Sequence, residues 1–217
     1  MNLSSKGNDK IGAKIFAFNL PAGTTCPGKS AACASCYAQR GRWLFPNVRD
    51  ALTWNYRLAQ RSFFVEEMVE ELRRRRVKVL RLHSSGDPFS AQYTRKWLEI
   101  LARSPDVSAY SYTRSWRVPE ILPALAELAA LPNFQLWFSA DADTGMATEV
   151  PSGVRIAWLQ NDEADAIPAG VDLVFRVHRL RKTPRKRIGL ALICPTEQGR
   201  EHTLTCSTCS HCWRAKG

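Results

Sequence analysis

Three cysteines stand close together early in the chain, as Cys26-x6-Cys33-x2-Cys36, followed directly by Tyr37. Thiols two residues apart can reach one metal centre, and the longer first gap lets the loop fold around it. Three thiolates on a [4Fe–4S] cluster leave one iron open to a ligand from outside the protein, as an open zinc site differs from a closed one. Zinc is the alternative, with a fourth ligand such as His83. Reduced core cysteines are disfavoured, because the loop is rich in Pro, Gly and Ala and polar rather than apolar. A second group reads Cys194-x11-Cys206-x2-Cys209-x2-Cys212, followed by Trp213. Its closing run resembles a ferredoxin ligand run, and four thiolates would close the site for electron transfer or stapling. The expectation is a second cluster, with His202 and His211 keeping zinc open.

The seven cysteines are an odd number, and none lies between Cys36 and Cys194. Clusters of this kind in a reducing compartment are more often metal ligands than disulfides. The 217 residues carry a net charge of +11, with 45% hydrophobic and 24% charged residues. That composition is globular and excludes wholesale disorder. No apolar run is long enough to span a membrane, and the first residues do not read as a signal peptide. The expected location is the cytoplasm, with no membrane partner.

Strands and helices alternate along the chain. Apolar, β-prone stretches are read at 13–20, 77–83, 107–113, 134–139, 154–159, 171–177 and 188–193, with helices at 47–75 (Asn47 as its cap), 90–103 and 119–131. Alternation of this kind predicts parallel pairing. The fold class expected is α/β, a partial or distorted (β/α) barrel over 1–193 with a C-terminal cysteine-rich metal-binding extension over 194–217. An open doubly wound sheet is the runner-up, and the short later connections predict an irregular second half. Active sites of parallel folds lie at the carboxyl ends of the strands. Those ends gather the cysteine loop, Ser85, Gly86, Asp87, Arg114, Asp141, Asp143, Asn161 and Cys194.

At these residues the sequence resembles the phage and plasmid "gene product 88" domain family. The stretches carrying the resemblance are Phe18 to Gly23, Thr25 to Gly28, Cys33-x2-Cys36-Tyr37-Ala38, Arg81 to Asp87, Tyr112 to Trp116, and Leu136 to Ser139 with Asp141. A broader resemblance is to radical S-adenosylmethionine (SAM) enzymes, which carry a three-cysteine loop after the first strand of a partial barrel. Their usual first spacing is three residues rather than the six found here. That resemblance implies SAM at the open iron, with Tyr37, Ser85, Gly86 and Asp87 holding the cofactor. Asp87 would orient its amine, while Arg114 and Asp141 would contact the substrate as catalytic residues.

Basic residues crowd the stretch 176–187, where Arg179, Arg181, Lys182, Arg185, Lys186 and Arg187 follow Arg176. Such a run can neutralise phosphates, although charge runs are usually solvated connectors. No groove-reading module is visible. Trp43 and Trp116 are the tryptophans best placed for a stacking surface, and the others are expected in the core. Three functions follow from these features. The first is a radical-SAM-like iron–sulfur enzyme with a small-molecule ligand at the open cluster. The second is a non-radical enzyme that modifies a nucleic-acid base. The third is a nucleic-acid-binding protein with structural or redox-sensing iron–sulfur or zinc.

Overall fold

The computed structural model describes residues 3–8, 10–182, 186–197 and 204–214. Arg185 and His202 lie outside the described residues. The elements are β1 (Ser5–Lys6), β2 (Ile15–Phe18), α1 (Pro46–Ala59), α2 (Phe64–Arg74), β3 (Val79–Leu82), α3 (Ala91–Ala102), β4 (Ser108–Thr113), α4 (Leu122–Ala129), β5 (Phe134–Asp141), β6 (Arg155–Gln160), β7 (Leu173–Arg176), β8 (Arg187–Ile188), β9 (Ala191–Ile193) and α5 (Cys206–Cys209).

One nine-stranded sheet runs in the order β1-β2-β3-β4-β5-β6-β7-β9-β8. Its seven central strands pair in parallel, and short antiparallel strands close both edges. A doubly wound sheet reverses its strand order at a switch point. The seven parallel strands follow chain order without such a reversal, so the runner-up architecture is not the one built. The fold is mixed α/β with a mostly parallel sheet.

Side chains on successive strand residues point to opposite faces, and both faces are covered. Leu80, Leu82, Leu136 and Phe138 join Met68, Leu72, Trp97, Ile100 and Leu125 in one core, so all four long helices pack on the same face. Beyond β5 that face is covered by loops, with Met146 and Ile167 against Ile156, Trp158 and Val174. The segments 142–154 and 161–172 contain no helix, as the short connections predict. The opposite face carries Ile15, Tyr110, Tyr112, Trp137, Ala157 and Leu173, and the C-terminal cysteines lie against it. Trp137 Nε1 donates to Cys212 O at 2.9 Å, and Arg155 Nη1 donates to His211 O at 3.1 Å. Backbone N–H groups of Cys206 and Ser207 donate to Lys10 O and Ile11 O at 2.9 and 3.0 Å.

Three local expectations differ from the structure. The helix read over 47–75 is two, broken at Gln60 to Phe63, because the chain must turn there to bury both Leu58 and Phe64. Asn47 is not the cap. Pro46 occupies the first turn, where its missing N–H costs nothing, and Phe45 precedes it. The strand read over 188–193 is a hairpin, because Gly189 at φ 58 and the 93% exposed Leu190 turn the chain.

The N-terminal segment is fastened by Glu71, a buried acid of α2. Its carboxylate accepts from Leu3 N at 3.2 Å, Ser4 N at 3.3 Å and Ser4 Oγ at 3.2 Å, and pairs with Arg74 and Arg75. Burial works against its charge, but the hydrogen bonds from Arg74, Ser4 and Arg75 outweigh it and hold the group below the usual carboxylate range.

Candidate functional site

The cysteine loop leaves β2 through Leu20 and Pro21 and returns over the carboxyl ends of β3, β4 and β5. Its seat is built from backbone. Gly28 lies so close to β4 that an added Cβ would stand 2.0 Å from Arg114 O. Gly86, at φ +80, lets the turn after β3 pass Leu20 and Thr25. Ser85 N–H and Ser84 N–H both donate to Asn19 Oδ1, and Ser85 Oγ donates to Leu20 O at 2.8 Å.

Charge fastens the loop from the other side. Asp141, fully buried at the end of β5, accepts from Arg114 at 2.7 Å and from Ser30 Oγ at 3.1 Å. Arg114 Nη1 also donates to Ser30 Oγ at 3.0 Å, and Asp143 Oδ2 accepts from Ala32 N at 3.1 Å. Arg117 Nη1 donates to Gly28 O and Lys29 O, both at 3.1 Å. The same carboxylate of Asp141 accepts from Asp143 N and Thr144 N at 3.0 Å. Its capacity is spent on holding the loop, and it does not border the cavity described next.

Beneath the loop is a cavity of about 230 Å³. Its walls include Cys26, Cys33, Cys36 and Tyr37 from the loop, and Arg81, His83 to Asp87, Tyr112, Arg114, Ser139 and Phe175 from the sheet. The residues read from sequence as cofactor contacts, Tyr37, Ser85, Gly86 and Asp87, all face this space, as does Arg114. Tyr37 donates its hydroxyl to Ser84 O, joining loop to strand end.

All seven cysteines are free thiols. Burial pushes the Cys26 thiol up to about 12, and Asp87, Cys36 and Cys33 are near enough to push further. Asp87 is raised to about 6 by burial, against the hydrogen bond that its Oδ2 accepts from Arg114 N–H at 2.9 Å and the nearby hydroxyls of Thr113 and Ser115. His83 is lowered to about 3 by burial and by Arg81. Its Nε2 meets Tyr93 Oη at 2.8 Å, while its buried Nδ1 has no partner among the described residues. The Arg81 guanidinium lies 5.7 Å from the Tyr112 ring and 6.0 Å from the Tyr110 ring, and no carboxylate among the described residues pairs with it. Sequence reading missed Arg81, Tyr112 and Phe175. Their signal was the alternation of the strands, but which face held the site could not be read from it.

The donor set suits a thiophilic metal in kind. Among the described residues, however, no group of three or more His, Cys, Asp or Glu side chains is arranged to hold a metal ion. The second cysteine group lies on the same sheet face. Cys194 is buried at the end of β9, and Tyr112 Oη donates to Cys212 Sγ at 2.8 Å. Cys212 is pushed up to about 12 by burial, with Cys194 and Cys206 near enough to add to it. Its neighbour His211 has Nε2 buried without a partner among the described residues.

The basic stretch is largely engaged within the protein. Arg176 is buried and bonded to Gln160 and Glu163, Arg179 pairs with Asp162, and Arg181 pairs with Glu197. Lys182, Lys186 and Arg187 are exposed. Trp116 is held inside, stacked on Phe138 with its N–H on Ser139 O, whereas Trp43 is half-buried beside the exposed Tyr37.

Fold and site together define a mixed α/β protein with a thiol-lined cavity at the carboxyl edge of a mostly parallel sheet. The model of the family described as "Gene product 88" matches residues 2–215, and the chain belongs to that family. It is 31% identical to the Gene 88 protein of Mycobacterium phage L5 over 157 residues, covering 66% of this chain and 64% of that protein. It is 28% identical to the Gene 88 protein of Mycobacterium phage D29 over 181 residues, covering 76% of this chain and 73% of that one. No solved structure matches. No helix among the described residues is long and apolar enough to cross a membrane.

Proposed function

We propose that the protein is a cytoplasmic iron–sulfur enzyme whose cluster is held by Cys26, Cys33 and Cys36 and whose small-molecule ligand enters the cavity beneath them. The observation that carries this reading is that one cavity is walled by all three loop thiols and by the residues at the strand ends. The one-directional strand order is also that of a partial (β/α) barrel, an architecture whose active sites lie at this edge. A cluster bound there would supply an open iron and an electron.

The chain's own residues supply the rest. Cys26 must lose a proton that burial makes hard to remove, so metal binding should be proton-coupled. Arg81 offers a positive charge without a carboxylate partner toward a site that thiolates would make negative. Asp87 and Arg114 are the polar groups offered to a ligand, with SAM as the first to test. Asp141 acts through Arg114 and Ser30 as a positioning residue. Cys194, Cys206, Cys209 and Cys212 are the residues for a second cluster.

The test is iron and acid-labile sulfide content after purification without oxygen. About four of each per cluster are expected, lost at the loop site in a C26A/C33A/C36A variant. Absence of both, or the same content in the variant, would falsify the reading. Formation of 5′-deoxyadenosine from SAM under dithionite distinguishes SAM cleavage from other uses of the open iron. A second reading, zinc held by the same thiols and His83, is favoured by the unpartnered His83 Nδ1. It predicts zinc without sulfide.

A further inference from the structure

The arginines Arg176, Arg179 and Arg181 are engaged within the protein, whereas the cysteine loop and α1 carry freer basic side chains. Over residues 21–65 the basic side chains are Lys29, Arg40, Arg42, Arg49, Arg57 and Arg61, against the single acid Asp50. All six are exposed. None makes a side-chain ion pair or hydrogen bond among the described residues, in contrast to Arg176, Arg179 and Arg181.

Four of them, Lys29, Arg40, Arg42 and Arg49, are interleaved in sequence with exposed rings and apolar side chains. Tyr37 is 59% exposed, Leu44 54% and Phe45 55%. Trp43 meets Tyr37 edge to face at 6.3 Å. The backbone here is a succession of short 3-10 turns, Ala31–Ser35, Tyr37–Gln39 and Gly41–Leu44. It is not the long amphipathic helix that lies in a membrane interface. Rings interleaved with unpaired arginines match a single strand, whose bases stack on aromatic faces while its phosphates meet the cations. Tyr37 belongs to this surface and to the cavity wall at once.

We propose that a single-stranded nucleic acid docks across residues 29–49 and presents a base to the thiol-lined cavity through the gap beside Tyr37. The base as substrate rests on the reading of the cavity given above; the docking surface does not.

The probe is a fluorescein-labelled oligo(dT) of twenty nucleotides, titrated across a salt series by anisotropy. Four phosphate contacts on a single strand give a log–log slope of about −2.8, so affinity falls about 50-fold between 50 and 200 mM salt. An R40Q/R42Q variant should bind more weakly, with a slope near −1.4 and a fall of about 7-fold over the same range. Trp43→Ala and Phe45→Ala should each weaken binding about 10-fold. All four positions are at least partly exposed, and thermal melts of each variant check that folding is intact. The proposal is overturned if the oligonucleotide does not bind at 50 mM salt or if these variants bind like the parent. It is also overturned if a K182Q/K186Q variant is the one that loses binding. Equal affinity for a duplex, or capture by phosphatidylserine vesicles in place of the oligonucleotide, overturns it too. Iron and sulfide are measured on the same preparations. Binding without a cluster would sink the cavity reading and keep the surface; a loaded cluster without binding would do the reverse.

Discussion

Gly28 offers the sharpest test of how the cysteine loop is seated. An alanine Cβ there would stand 2.0 Å from Arg114 O, 2.4 Å from Arg114 C and 2.9 Å from Ser115 N. These are backbone atoms at the end of β4 and cannot rotate away. Reaching ordinary contact, 3.4 Å or more, requires the loop to lift by about 1.4 Å. The bonds from Arg117 to Gly28 O and Lys29 O and from Arg114 to Ser30 would not survive that displacement at 3.0–3.1 Å. Overpacking of this kind costs about 1–3 kcal/mol, or a fall of roughly 2–12 °C in a domain of this size. The stronger effect is on the thiols, since a lifted loop no longer holds Cys26, Cys33 and Cys36 around one cavity. Gly28→Ala should therefore lose most loop-bound metal while keeping its circular dichroism spectrum. Ser35→Ala, at an exposed position of the same loop, is the control. Full metal content and an unchanged melting temperature in Gly28→Ala would show that the loop is not seated on β4 in this way.

Two further perturbations follow from the charge network. Asp141→Asn keeps the shape but leaves Arg114, 13% exposed, without its counter-charge. A loss of about 3 kcal/mol or more is expected in chemical denaturation, with part of it recovered in an R114Q/D141N double variant; additive losses would exclude coupling. Glu71 has its carboxyl pKa lowered in the folded protein. Its contribution is therefore complete above the unfolded carboxylate value, near 4.3, and lost as pH falls through the lower folded value. Glu71→Gln should be less stable than the parent at neutral pH, and the difference should shrink below about pH 4. A gap that stays constant down to pH 2 would show that the charge plays no part.

Much of the sheet was legible because its strands alternate. VKVLRLH sets Leu80 and Leu82 two apart on one face, and Val79–Leu82 is the strand found there. What alternation cannot say is which face is wet. Arg81 reads as a solvent-facing residue, yet it points into a covered face beside Tyr110 and Tyr112. That Cys26, Cys33 and Cys36 come together was legible from their spacing in a Gly/Pro-rich segment after β2, and all three wall one cavity. Asp141 is legible as a strand-end residue, but its role in seating the loop is not. Its actual partners, Ser30 and Arg114, are remote in sequence, and no local pattern announces them. The break between α1 and α2 was hidden for a related reason. Arg61 and Ser62 are tolerable in a helix, and only the need to bury both Leu58 and Phe64 turns the chain there.

Residues 206 and 207 hydrogen-bond to residues 10 and 11, and the tail between them and Trp213 lies over Tyr110, Tyr112 and Trp137. A ribosome therefore releases the whole parallel sheet before its second cover exists. Until those late residues emerge, a row of aromatic rings stands bare to solvent, and the strand ends that frame the thiols lack their backing. A nascent chain halted near Ile193 should be sticky, so completion of the cavity would have to wait until residues 206–213 have emerged.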